Sequence, residues 1–226
     1  MKKILGIIIA IMMAFALVAC GEQPAEGNKV EENKVVENKA EETPTTSVAS
    51  SQGIKPATDG TLTISKADVA IVVNGTSVKM PYKLKDLESA GVPADESRDS
   101  IELKAGDFYT GNVFLDENQD YLLIPAYYNG GDSTISILDA EATEITMSSY
   151  SSNPVDQGVS ILGVSFGTTM SEARALLGEP SSDDGSYLEW HIEIPDMNYE
   201  GTLSMYLTGD TDDSVVSQVN LNVFEK

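Results

Sequence analysis

The stretch GTTMSEARALLGEP, residues 167–180, decides how the fold is read. Thr169 and Glu172 have the three-residue spacing of a capping box, in which hydroxyl and carboxylate each satisfy a backbone N–H at a helix start. Met170, Ala173, Leu176 and Leu177 form one apolar stripe, and Gly178 followed by Pro180 stops the helix. A weaker echo lies 87 residues upstream, in the segment from Pro81 to Pro93. There Pro81 suits a first helical position, Leu84, Leu87 and Ala90 share a face, and Gly91-Val92-Pro93 falls on Gly178-Glu179-Pro180. The same shift lays Ile101-Glu102-Leu103 on Leu188-Glu189-Trp190.

Around these two helices the chain alternates apolar and polar residues, the period of a half-buried strand. Thr61–Ser65, Val69–Val73, Thr76–Met80, Ile101–Leu103, Asn112–Leu115, Tyr121–Tyr128, Thr134–Leu138 and Glu144–Met147 read as strands. So do the runs holding Leu203, Met205 and Leu207, and Val219, Leu221 and Val223. Asn74-Gly75 is a strong hairpin signal, because both positions of the tight turn need positive φ. The expected fold is α+β: two tandem modules, residues 61–149 and 150–226, each a short helix packed on its own antiparallel sheet.

The second module, with Trp190 ten residues after Pro180, resembles the motif of the SmpA/OmlA (BamE) lipoproteins. It is also similar to one repeat of the β-lactamase inhibitor protein fold. In those families a Gly-Thr helix cap, an apolar helix ending Leu-Gly-x-Pro and an aromatic-bearing strand recur. The resemblance implies an α+β fold and protein–protein contact rather than catalysis. The chain departs from the pattern in its acidity, its additional module and its long spacer, which argues against a role in outer-membrane assembly.

At the other end, Met1-Lys2-Lys3 precedes a run without charge from Ile4 to Ala19, the layout of a secretory signal. That run is shorter than the roughly 20 residues a spanning helix needs. Leu17-Val18-Ala19-Cys20 resembles the bacterial lipobox, which implies cleavage before Cys20 and lipid (diacylglyceryl and palmitate) on its sulfur. Residues 1–19 are thus expected to be a lipoprotein signal peptide. Cys20 is the single cysteine of 226 residues, so no internal disulfide can form. Residues 20–60 are rich in Glu, Asn, Lys, Thr, Ser and Pro, with a degenerate repeat EGNKV, EENKV, VENKA. They hold too little apolar area to offset the entropy of ordering and read as a tether spanning roughly 35 Å. The layout is similar to surface lipoproteins of Gram-positive bacteria, placing the protein on the extracytoplasmic face of the membrane.

Removing residues 1–19, with their two lysines and no acid, takes the net charge from -22 to -24. A surface this acidic excludes nucleic acid and anionic headgroups as partners. No GxSxG, Walker A, HExxH or CxxC spacing occurs, and His191, the single histidine, follows Trp190 in a strand-like run. Asp116, Asn118 and Asp120 alternate like the start of an EF-hand loop, but Tyr121 stands at the sixth position and Tyr127 at the twelfth. Asp210 and Asp212 begin a similar truncated pattern. Both read as hairpin turns, with weak divalent-cation association as the alternative.

Tyr127, Tyr128, Tyr187 and Trp190 are the candidate partner-binding residues, because Tyr and Trp anchor protein interfaces. Adjacent Tyr127 and Tyr128 must point to opposite sheet faces. The expectation is a lipid-anchored, non-enzymatic protein without a cofactor that binds another protein or an envelope component. The rival readings are a solute- or glycan-binding lipoprotein and a glycan hydrolase built on two carboxylates.

Overall fold

Successive strand residues face opposite sides of a sheet, so the alternation in Leu188–Ile194, Leu203–Leu207 and Val219–Val223 specifies one apolar face and one polar face. A computed structural model describes residues 54–226, apart from 94 and 95. In its first half β1 (Ala57–Thr63), β2 (Ala70–Val73), β3 (Thr76–Lys79), α1 (Leu84–Ser89) and β4 (Glu102–Leu103) follow in order. Then come β5 (Phe108–Thr110), β6 (Val113–Phe114), β7 (Tyr121–Tyr128), β8 (Ile135–Ser136) and β9 (Glu141–Ser149). The second half holds β10 (Val159–Ile161), β11 (Val164–Ser165), α2 (Met170–Leu177), β12 (Gly178–Pro180) and β13 (Ser182–Asp183). It closes with β14 (Tyr187–Ile194), β15 (Tyr199–Leu207) and β16 (Val216–Glu225).

One large sheet runs β12-β1-β14-β15-β16-β9-β7-β5, with β13 also on β14 and β6 on β7. Strand β1 lies parallel to β12 and β14, and the other pairings are antiparallel. The halves join where β16 pairs with β9, setting Asn220 opposite Thr146. They join again in a smaller sheet, where hairpin β2–β3 meets hairpin β10–β11 and Val72 lies opposite Ser160. The two hairpins turn alike: Asn74 and Gly75 have φ of 48° and 80°, Leu162 and Gly163 of 50° and 83°. Each half therefore contributes a hairpin, a short helix and outer strands, placed antiparallel about the β16–β9 seam.

The second layer covers one face of the large sheet. Ile71, Val73, Val78, Val159, Ile161 and Val164 of the small sheet join one continuous core with Leu84 and Leu87 of α1 and Met170, Ala173 and Leu177 of α2. The large sheet contributes Leu188, Trp190, Ile192, Leu203, Met205, Val219, Leu221, Ile145 and Met147. Burying such a side chain contributes about 1.5–3 kcal/mol, so this layer pairing holds the fold without a disulfide.

Two local expectations match closely. Thr169 caps α2, with Thr169 Oγ1 accepting from Glu172 N at 3.2 Å and Glu172 Oε2 accepting from Thr169 N at 2.9 Å. Strand β7 coincides with the apolar run Tyr121–Tyr128. The architecture differs from the α+β expectation of two tandem modules, each a helix on its own sheet. The described region is mostly β, its two α-helices are six and eight residues long, and both of its halves share one mixed sheet and one core. Helices this short cannot cover a sheet by themselves, so the paired hairpins complete the layer. Nor are Ile101–Leu103 and Leu188–Trp190 counterparts. Strand β4 forms a separate two-stranded ribbon with β8, whereas Leu188–Trp190 lies within the large sheet.

Candidate interaction surface

The opposite face of the large sheet is not packed by the second layer, and cross-strand register fixes which residues point to it; toward β7 it closes over, because Leu122 and Ala126 on this side are buried. One row runs Tyr187, Tyr206, Gln218, Ser148, Leu122, Phe114. The next runs Glu189, Ser204, Asn220, Thr146, Ile124. A third runs His191, Thr202, Asn222, Glu144, Ala126, Thr110. The middle of the face is thus a band of hydroxyls and amides, tied together where Asn220 Nδ2 donates to Glu144 Oε1 (2.8 Å) and Thr146 Oγ1 (2.7 Å). Held on paired strands, these groups are preorganised in a way a loop surface is not.

Aromatic rings stand around this band. Tyr187 and Tyr206 face each other across β14 and β15 with ring centroids 5.0 Å apart. The Tyr187 hydroxyl donates to the Glu189 carboxylate. Partial burial, reinforced by that carboxylate, pushes the phenol up to about 12. At the far edge Phe108 pairs with Tyr128, and the two residues are 60% and 56% exposed. Phe114, Phe224 and Tyr206 are also exposed. Strand β9 carries an extra residue, Thr143, between the partners of Ala126 and Tyr127, which helps aim this corner.

A shallow trough of about 390 Å³ opens at the β14–β15 end, lined by Thr61, His191, Glu193, Glu200, Thr202 and Phe224 among others. Glu193 and Glu200 stand directly opposite each other, an arrangement that like charge disfavours. The Lys226 ammonium lies 3.5 Å from both carboxylates and offsets that repulsion.

The sequence candidates separate on this geometry. Tyr128 and Tyr187 belong to the open face. Trp190 and Tyr127 do not, because their strand parity turns them into the core. Trp190 is fully buried, and its indole N–H donates to Gly178 O at 3.3 Å. Tyr127 packs edge-on against Tyr82, with centroids 6.3 Å apart, and its hydroxyl has no hydrogen-bond partner among the described residues. Burial holds both phenols above the ordinary tyrosine range. Cys20 lies outside the described residues.

Asp116 acts as a turn former: its carboxylate accepts from Tyr121 N at 2.9 Å and Asn118 N at 3.2 Å. In the loop holding Asp210 and Asp212, Thr211 N donates to Ser214 Oγ at 3.1 Å and the Asp212 carbonyl accepts from Ser171 N at 3.2 Å. Among the described residues no group of three or more His, Cys, Asp or Glu is placed to hold a metal ion. Tyr206 belongs to the aromatic concentration that the sequence shows in and beside the second half, together with Tyr150, Tyr187, Trp190 and Tyr199. Phe108, Phe114 and Phe224 carry no such signal in the sequence.

No protein-family model, curated protein or solved structure matches this chain.

Proposed function

We propose that the protein is a lipid-anchored extracytoplasmic binding protein whose open sheet face docks a partner protein. The carrying observation is the arrangement of that face: a rigid, preorganised polar band with exposed aromatic rings at its margins. Aromatic anchors around hydrogen-bonding groups are the composition of protein interfaces rather than of ordinary solvated surface. The N-terminal lipobox-like segment supplies the address, and the tether gives the face reach above the headgroups.

The test is a photo-crosslinking amino acid placed at Ser204, in the band, or at Glu102, on β4 and outside the seven face strands. In intact cells the Ser204 position is expected to yield a discrete crosslinked protein and the Glu102 position none. Equal crosslinking from both positions, or none from Ser204, contradicts the reading.

A further inference from the structure

The face has a charge character that the rest of the described chain does not share. Strands β5, β6, β7, β9, β14, β15 and β16 contain no lysine or arginine and six glutamates, of which Glu141, Glu144, Glu189, Glu193 and Glu200 point to the open face and Glu225, opposite Tyr199, does not. The described residues hold nine Lys and Arg, so the depletion is local: eight sit on other segments, and Lys226 alone follows a face strand. That one cation is engaged by Glu193 and Glu200. Glu189 and Glu144 remain in the hydroxyl and amide band, answered by Tyr187 and Asn220 rather than by a cation.

We infer that the open sheet face receives an arginine-rich segment of the partner protein, with one guanidinium on Glu189 beside the Tyr187–Tyr206 ring pair and another on Glu144, three strands away on β9. This deepens the docking reading of the same face and rests on it. The chemistry is specific to arginine. Its planar guanidinium meets a carboxylate in a two-pronged hydrogen bond and stacks on an aromatic face, whereas an ammonium is a hydrated point charge. The Tyr187–Tyr206 pair beside Glu189 offers both contacts within one cross-strand step.

Charge also argues against other occupants. A second copy meeting this face in a two-fold interface would set the same glutamate-bearing patch, without lysine or arginine on its strands, against itself, and like charges across an interface are unfavourable. Anionic lipid would be repelled, and a neutral glycan would leave the carboxylates without counter-charges.

The test uses the full chain in detergent and a fluorescent dodecapeptide of alternating arginine and glycine, with binding read by anisotropy. Glutamine replaces glutamate isosterically and retains its acceptor oxygen for Tyr187 and Asn220. The variant Glu144→Gln/Glu189→Gln/Glu200→Gln is expected to weaken binding about tenfold or more, most strongly at low salt. A matched triple, Asp99→Asn/Glu102→Gln/Asp139→Asn, removes three acids outside the face strands and is expected to change affinity less than about twofold. The lysine–glycine counterpart is expected to bind about threefold more weakly than the arginine peptide.

Equal weakening by the two triples would show attraction to net charge alone and overturn the inference, as would no peptide binding at all. A peptide-free dimer strengthened by the glutamine triple would instead assign the face to a second copy. If crosslinking from Ser204 persists while the peptide fails, docking stands and the arginine-rich class falls.

Discussion

Replacing Gly178 with alanine tests how the helix, the edge of the sheet and the core are joined. Gly178 ends α2 with φ 82° and ψ -158°, a region open essentially to glycine alone. It is also the first residue of β12, paired in parallel with Ala57 of β1. An added Cβ would lie 2.1 Å from the Ala57 carbonyl oxygen and 2.4 Å from its nitrogen. Neither atom can yield without moving β1, which carries the buried Leu62 into the core.

Backbone strain in this region costs of order 1–3 kcal/mol. With displacement of β1 added, the total is about 3 kcal/mol or more. For a described region of this size that lowers the melting temperature by roughly 6–12 °C. Gly106 is the control: its φ of 79° is also positive, but an added Cβ meets nothing within 4 Å. Gly106→Ala is expected to cost only about 1–2 kcal/mol. Urea unfolding followed by Trp190 fluorescence reads both variants, because the indole is buried and bonded to the Gly178 carbonyl. If Gly178→Ala costs no more than Gly106→Ala, the close approach of β12 to β1 does not hold this edge.

Three further outcomes are expected. Tyr127→Phe removes a buried hydroxyl without a hydrogen-bond partner among the described residues, so stability should stay level or rise by up to about 1 kcal/mol. A loss greater than that in urea unfolding would mean the hydroxyl is satisfied. Tyr82, Tyr127 and Tyr187 are harder to ionise folded than unfolded. Their contribution is therefore complete below the ordinary tyrosine value of about 10 and falls as pH rises above it. The urea midpoint should drop between pH 10 and 11.5, and less steeply in Tyr127→Phe. Cys20→Ser should release the protein from membranes to the medium, as read by fractionation, and retention would remove the anchor.

Local order was legible in the sequence wherever short-range chemistry sets it. The Thr169–Glu172 cap, the Gly178 stop and the Asn74-Gly75 turn each follow from groups within four residues of one another. Alternation marks β15 and β16, and an apolar run marks β7. What it could not show is which strands meet. The β16–β9 seam, the β2–β10 pairing and the parallel insertion of β1 beside β14 join residues from 70 to 130 positions apart. Without them, two short helices suggested two modules, whereas the core is shared. The second hairpin turns at Leu162-Gly163, where a buried leucine takes the left-handed position that asparagine fills in the first.

For the face, adjacency showed that Tyr127 and Tyr128 must diverge but not which one turns inward. Trp190 lies in the core and not on the face, because an aromatic with a polar N–H serves a core as readily as an interface. Here that N–H finds the Gly178 carbonyl.

Carboxylate footprinting on intact cells tests the central claim most directly. A water-soluble carbodiimide and an amine nucleophile label accessible acids, and mass spectrometry compares cell-bound protein with the purified full chain. The account predicts that Glu144 and Glu189 lose labelling on cells while Asp99, Glu102 and Asp139 keep theirs. Unchanged labelling of the two glutamates, or protection confined to the three outside acids, would contradict the assignment of the open sheet face as the docking surface.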